Sequence, residues 1–257
     1  MRINVKSHET ELKELFLEVF SENSSFVELI FSDVLFDSDC FAIKENNKIV
    51  SFLYAIKKDI RIGNEIKNCV YIYGVGTHNE YRKKGYMRML LDEAYEYYKD
   101  TNIEFLYLVP ANKSLFKMYE KMGYKTSFYL QKKTVELTDS CDIKVSDGDC
   151  YKDYKEFSKG FENIILMSEN DIKTTLKYTT YCKINKSGFL WEADGKTAYI
   201  RECFLDNEND LESFLKYLAK NFKTAIITQK GKAPYAMLKP YRDFSFKKPC
   251  YTNMNFD

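Results

Sequence analysis

The stretch Val70–Lys125 constrains the fold of this 257-residue chain more than any other part of it. An apolar run, Val70–Thr77, leads into a basic turn, Arg82-Lys83-Lys84-Gly85-Tyr86-Met87. Beyond the turn, Leu90, Leu91, Ala94, Tyr95 and Tyr98 recur at helical spacing, with Asp92, Glu93, Glu96 and Lys99 on the opposite face. Ile103–Val109 is a second apolar run of strand length, closed by Pro110. Asn112 or Ser114 can cap a second helix, whose apolar surface is Leu115, Phe116, Met118, Tyr119 and Met122 and whose end is marked by Gly123. Strand, turn, helix, strand, helix is the order of an α/β sheet with helices packed on it.

The turn carries the chemistry. A helix N-terminus presents unpaired backbone N–H groups and about half a positive charge, which suits a phosphate. Gly85 lets the backbone bend tightly and approach a ligand closely. Arg82, Lys83 and Lys84 add positive charge at the same place.

This segment resembles the cofactor-binding core of the GNAT superfamily of acyl-CoA N-acyltransferases. The superfamily signature is Gln or Arg, two residues, Gly, one residue, then Gly or Ala; here it reads Arg82-Lys83-Lys84-Gly85-Tyr86-Met87, with Met87 in place of the small residue. Tyr73-Gly74-Val75-Gly76-Thr77, the following His78–Arg82 and the element Tyr119-Glu120-Lys121-Met122-Gly123-Tyr124 are similar to the Eis-like branch, the "enhanced intracellular survival" acetyltransferases. The likeness is specific over roughly residues 40–128. It implies acetyl-CoA as co-substrate, with the main chain of Val75, Gly76 and Thr77 pairing with the pantetheine arm. Arg82 would open the basic turn, and Lys83, Lys84, Gly85, Tyr86, Met87 and Arg88 would wrap the diphosphate. Asn112 would touch the cofactor again, and Phe116 would either line the thioester channel or belong to the core.

The implied reaction is attack of a primary amine on a thioester carbonyl. Positioning the reactants lowers the barrier, and an acid near sulfur helps the thiolate depart. Tyr119 matches the family tyrosine in that role; with an ordinary pKa of about 10 it holds its proton at neutral pH. For the base, His78 is a candidate by residue type, but it follows the strand and precedes the turn. Glu28 and Asp33, on an expected N-terminal helix, and the terminal carboxylate of Asp257 are the other candidates.

Composition narrows the remaining classes. With 45% hydrophobic and 30% charged residues the chain is an ordinary globular sequence, and a net charge of +1 gives no general attraction to nucleic acid or anionic membrane. Met1–Lys6 lacks an apolar signal core and no run is long enough to span a bilayer, so a cytoplasmic protein without a membrane partner is expected. Richness in Lys, Asn, Ile and Tyr points to a bacterial genome. The seven cysteines are odd in number and contain no Cys-x-x-Cys pair, which suits reduced thiols rather than disulfides or a metal site. Nucleic-acid binding through Arg82, Lys83 and Lys84 would need steep salt dependence. A non-catalytic acyl-CoA-binding regulatory module is the alternative to an enzyme.

The first domain, residues 1–138, reads as a strand at Arg2–Lys6, helices over Glu9–Ser21 and Phe26–Leu35, strands over Cys40–Lys44 and Ile49–Lys57, then the segment above, with Ser127–Glu136 as its last strand. Residues 142–257 repeat that order. Asp142–Val145 stands for the first strand and Tyr151–Leu166 and Asn170–Cys182 for the paired helices. Gly188–Ala193 and Thr197–Leu205 form a hairpin around Asp194-Gly195, and Leu211–Phe222 is a helix. Thr224–Gln229 is a strand, Ala233–Phe244 a Pro-interrupted helix and Tyr251–Phe256 the final strand. In place of a basic Gly turn this copy has Leu205-Asp206-Asn207-Glu208-Asn209-Asp210, whose acidic groups repel a diphosphate. The expected architecture is thus two GNAT-like α/β (α+β) domains in tandem, each a mixed, mostly antiparallel sheet flanked by helices, the second degenerate.

Overall fold

The computed structural model describes residues 1–244, 246 and 248–253. In chain order the elements are β1 (Arg2–Ile3), α1 (Glu9–Phe20), α2 (Ser24–Ile30), β2 (Asp39–Glu45), β3 (Lys48–Ile62), β4 (Glu65–Thr77), α3 (Tyr86–Lys99), β5 (Ile103–Leu108), α4 (Lys113–Glu120) and β6 (Lys125–Glu136). They continue with α5 (Cys150–Ser158), β7 (Asn163–Leu166), α6 (Glu169–Thr175), β8 (Thr180–Ile184), β9 (Ser187–Asp194), β10 (Thr197–Phe204), α7 (Glu208–Leu218), β11 (Thr224–Lys230) and β12 (Ala233–Pro240). The fold is mixed α/β and divides into two compact units. Unit 1 holds 1–60, 65–126 and the described residues of 236–245; unit 2 holds 61–64, 127–235 and the described residues of 246–257.

In unit 1 the strands run in the order β1-β2-β3-β4-β5-β12. β2 and β3 are antiparallel, while β4 and β5 are parallel and β5 and β12 antiparallel. Parallel neighbours need a crossover, and α3 supplies it. Leu90, Leu91, Ala94 and Tyr98 of α3 and Tyr119 of α4 pack with Val70, Ile72, Leu106 and Leu108 of the sheet in one buried cluster. Aromatic rings build a second layer: Phe16 of α1 lies 6.1 Å from Phe52 and 6.3 Å from Tyr73, and Phe31 lies 5.9 Å from Tyr54. Each such side chain, fully buried, contributes about 1.5–3 kcal/mol.

Unit 2 has the strand order β8-β9-β10-β11-β6. β8/β9 and β9/β10 are antiparallel, β10/β11 parallel across α7, and β11/β6 antiparallel. This sequence of orientations and crossover parallels β2 through β12 of unit 1. Phe189 and Phe214 stack at 4.2 Å beneath α7.

Several expectations change here. Ser127–Glu136, read as the last strand of the first sheet, belongs to unit 2 and pairs with β11 from Leu130↔Lys230 to Glu136↔Thr224. The last strand of unit 1 is instead β12, pairing Met237↔Leu108 through Pro240↔Phe105, in a stretch read as helix. Ala236, Met237 and Leu238 are buried in succession, and a run buried on both faces has no strand alternation to betray it. The interleaved units therefore differ from a single cut between 138 and 142. The expected helix Tyr151–Leu166 ends at Ser158, before Gly160, and Asn163–Leu166 is a strand. The next expected helix stops at Thr175, and β8 begins at Thr180. Asp142–Val145 is not a strand; only Ser146 bridges Lys183. Of Tyr251–Phe256, Tyr251 bridges Ile164, and residues 254–257 lie outside the described residues.

One charged side chain is sealed inside unit 2. Glu202 is 3% exposed; a β-bulge after Ile200 puts it opposite Leu190 on the face of Phe204, away from the face of Ala198 and Ile200. Its oxygens accept the Tyr251 hydroxyl at 2.8 and 2.7 Å, the Cys203 N–H at 3.2 Å and Asn253 Nδ2 at 3.4 Å. Burial pushes the carboxyl from 4.5 up to about 7, against the opposing pull of these donors. The folded state then binds more protons than the unfolded state between those values. Its contribution is complete below 4.5 and lost as pH rises through 7. The difference corresponds to about 3 kcal/mol. Glu202→Gln is expected to flatten the fall in Tm between pH 5 and 8; an unchanged slope would show that Glu202 does not titrate in this window.

Candidate active site

The site grows from the end of β4. Its pairing with β5 stops at Ile72↔Leu108, where β5 ends, while β4 runs on to Thr77. Gly74 has φ +58°, and a Cβ there would meet the rings of Phe16 at 3.1 Å and Tyr54 at 3.3 Å. At Gly76 a Cβ would stand 2.8 Å from the Phe52 ring and 3.2 Å from Val19. The glycines thus let the strand lie against the aromatic layer. The His78 N–H donates to Val50 O at 2.9 Å and Ser51 Oγ to Gly76 O at 2.9 Å, so residues 76 and 78 pair toward β3. By strand alternation Val75 and Thr77 turn their main-chain groups to the side vacated by β5. Ser51 Oγ also bonds Thr77 Oγ1 at 2.8 Å, and Arg82 Nε donates to Thr77 O at 3.1 Å. Arg82 therefore braces the corner with its side chain. Ser51 was not singled out from sequence, although it is the one polar residue in the run Ile49–Ile56.

A 3-10 turn over Asn79–Tyr81 follows, and Lys83 and Gly85 take left-handed φ values of 65° and 83°. Gly85 is the N-cap of α3, and no side chain caps that helix. The Met89 N–H returns to Gly85 O at 3.1 Å, which leaves the amides of Tyr86, Met87 and Arg88 without intrahelical acceptors. A Cβ on Gly85 would meet nothing within 4 Å. Lys84 Nζ sits 4.5 Å over the Tyr81 ring. The Tyr86 hydroxyl donates to Glu45 Oε1, and that carboxylate raises its pKa. Met87 packs against the unit 1 core beside Val75, so the larger side chain is housed on the sheet side of the turn. Arg88 forms an exposed pair with Asp92 at 3.8 Å.

Helix α4 presents Tyr119, 5% exposed, with its ring edge-on to Tyr124 at 5.8 Å. Burial pushes its hydroxyl up to about 12. No described residue bonds that hydroxyl. Phe116 is partly buried against the same core. Asn112 is the N-cap of α4; its Oδ1 accepts the Ser114 N–H at 3.0 Å and Ser114 Oγ at 2.6 Å.

The candidate bases have other engagements. His78 Nδ1 accepts the Glu80 N–H at 3.2 Å, so the ring proton sits on Nε2, 3.2 Å from Glu18 Oε1. Glu28 pairs with Lys13 at 2.7 Å and Asp33 accepts Ser32 Oγ at 2.8 Å. Asp257 lies outside the described residues.

In unit 2 the helix that follows β10 is capped by a side chain: Asn207 Oδ1 accepts the Asn209 N–H at 2.9 Å. Ser187 Oγ accepts the Asp206 N–H at 2.9 Å and donates to Asp210 Oδ2 at 2.7 Å. Asn185 Nδ2 donates to Asp210 Oδ1 at 2.7 Å, and Asp210 is 4% exposed. A carboxylate of the chain itself is bonded into the turn. Among the described residues no helix is long and apolar enough to cross a membrane.

Residues 2–127, nearly half of the chain, match the family model described as acetyltransferase (GNAT) domain. By sequence, no curated protein matches the chain. Solved structures share the fold over nearly its whole length. One is a conserved Enterococcus faecalis V583 protein of unknown function, a probable N-acyltransferase, with TM-score 0.76, 12% identity, and 94% of this chain and 72% of that one covered. A GCN5-related N-acetyltransferase from Anabaena variabilis has TM-score 0.75 and 12% identity, over 94% and 73% of the two chains. Eis1 from Mycobacterium abscessus has TM-score 0.64 and 5% identity, over 92% and 72%.

Proposed function

We propose that this chain, a transferase enzyme of the GNAT type, moves an acetyl group from acetyl-CoA to a primary amine. The carrying observation is the uncapped start of α3, where three backbone donors follow a left-handed glycine and the basic residues Lys83 and Lys84. A diphosphate suits that place, since the donors and the helix dipole both favour negative charge. The end of β4 at Val75–Thr77, beyond the last pair with β5, suits a pantetheine arm, which carries amide groups able to pair as a strand would. Asn112, at the start of α4, and Phe116, packed on the unit 1 core, would meet the cofactor from that helix.

Bound acetyl-CoA supplies an activated acyl group. The chain's part is to orient the carbonyl for the incoming amine and to give the departing sulfur a proton. Tyr119 serves as that acid: burial keeps it protonated, and its hydroxyl is committed to no other described residue. The acid thus keeps its proton well below pH 12.

The repeated strand order supports reading the two halves of the sequence, 1–138 and 142–257, as tandem GNAT domains that exchange their last strands. The Ser187–Asp210 network favours a second domain that holds no acetyl-CoA. The strand and turn Tyr73–Arg82 support kinship with the Eis-like branch.

The test is release of CoA thiol from acetyl-CoA across a panel of polyamines, aminoglycosides and lysine peptides. Release that depends on the amine, with an acetylated amine as product, is the expected result. Binding of acetyl-CoA without turnover on any amine would favour the regulatory module instead.

A further inference from the structure

The residue His78 has no part in the chemistry above, yet four of its groups are engaged. Its N–H bonds Val50 O at 2.9 Å, and its carbonyl accepts the Tyr81 N–H at 2.9 Å. Nδ1 accepts the Glu80 N–H, and Nε2 reaches Glu18 of α1, both at 3.2 Å. The ring lies edge-on to Tyr81 at 5.5 Å, and the face of Tyr81 carries Lys84. One side chain therefore closes the 3-10 turn that leads to Gly85 and also holds α1 to the end of β4. Val19, next to Glu18, packs at the same end, 3.2 Å from where a Cβ of Gly76 would stand.

We propose that His78 is a positioning residue with two separable links: Nδ1 orders the diphosphate turn and so supports acetyl-CoA affinity, while Nε2 holds helix α1 to the end of β4 and so sets the floor of the site. The inference rests on the acetyl-CoA reading of the turn. A neutral ring satisfies both ends at once, with Nδ1 as acceptor and Nε2–H as donor. Neither nitrogen is then available to take a proton from an amine without breaking one of the two links. Helix α1 covers the aromatic face of β3 and β4 through Phe16, so a shift of α1 reaches the floor of the site.

The two links separate by substitution. In His78→Asn the amide oxygen stands where Nδ1 stood and can cap Glu80, but the reach to Glu18 is lost. In His78→Gln the amide nitrogen stands near Nε2 and can donate to Glu18, but the cap is lost. Acetyl-CoA affinity is measured by calorimetry, and kcat and the acceptor KM by steady-state kinetics, with circular dichroism as the folding control. His78→Gln is expected to weaken acetyl-CoA binding roughly tenfold, as expected for loss of one cap. His78→Asn should bind acetyl-CoA within about twofold of wild type and raise the acceptor KM severalfold, with kcat little changed. Glu18→Ala should reproduce the KM change of His78→Asn, and it keeps the question open to test should a His78 variant misfold.

Equal behaviour of the Asn and Gln variants in both assays would overturn the separation of the two links. So would a fall in kcat above about 100-fold in both variants with loss of the acidic limb of the pH profile, which would make His78 the base. A wild-type chain that binds no acetyl-CoA would remove the underlying reading and this inference with it. Wild-type binding with indifferent variants would remove the inference alone.

Discussion

Replacing Tyr119 with phenylalanine is expected to lower kcat by about 10²–10⁴-fold, the range for loss of a positioned general acid, with acetyl-CoA affinity within about twofold of wild type. The substitution removes one oxygen and keeps the ring, which packs edge-on to Tyr124 in the unit 1 core. Little stability should be lost, because the hydroxyl has no described protein partner to leave unsatisfied. The pH profile gives an independent reading. Burial pushes Tyr119 up to about 12, and the acid acts in its protonated form. Activity that depends on it is therefore complete well below 12 and lost only as pH rises through that value. The wild-type kcat should be level from pH 8 to 10. An alkaline limb near 10 that vanishes in Tyr119→Phe would mean that the hydroxyl is in water rather than in the core. Unchanged turnover in the variant would remove Tyr119 from the chemistry.

The second large effect concerns Gly85. A side chain there has room, since a Cβ meets nothing within 4 Å, but the φ of +83° is unfavourable for any residue with a Cβ. Gly85→Ala isolates this backbone cost, about 1–2 kcal/mol, and should weaken acetyl-CoA binding roughly tenfold if the turn distorts to relieve it. Gly85→Glu adds a negative charge beside the proposed diphosphate. At about 5 Å and an effective dielectric of about 20, each charge pair repels by about 3 kcal/mol, so binding should fall by more than 100-fold. The graded loss from Gly to Ala to Glu distinguishes an anion site from a merely structural turn, for which both substitutions would act through folding alone. Glu binding acetyl-CoA as well as Gly would contradict the assignment.

What could be read from the sequence follows the range of the forces involved. The amphipathic face of α3, Leu90 through Tyr98, depends on local spacing, and the helix lies over Tyr86–Lys99 as that spacing requires. Gly85 was readable because a positive φ before a helix calls for glycine. Which strand completes which sheet is a non-local choice. Lys125–Glu136 and Ala233–Pro240 are each compatible with either sheet by composition, and nothing within them names the partner. Ala236-Met237-Leu238 was misread because continuous burial resembles a helix interior as closely as a strand. Glu202 was hidden by a β-bulge: the strand switches faces between Ile200 and Glu202, and spacing alone does not show which buried face the carboxylate joins. At the site, the types and order of residues pointed to the turn. The braces Ser51 and Glu18 come from β3 and α1, and only the folded chain brings them to the end of β4. The Asn112 amide, read as a cofactor contact, already caps α4 with its oxygen, which leaves its NH₂ group for any such contact.

The central claim is that one acetyl-CoA binds per chain, at the start of α3. Titration calorimetry of the purified full-length protein with acetyl-CoA tests it most directly. The account predicts a single class of sites at one per chain, with affinity that falls in the order wild type, Gly85→Ala, Gly85→Glu. Two sites per chain would contradict the silent second unit, and no binding, or binding indifferent to Gly85, would contradict the site itself.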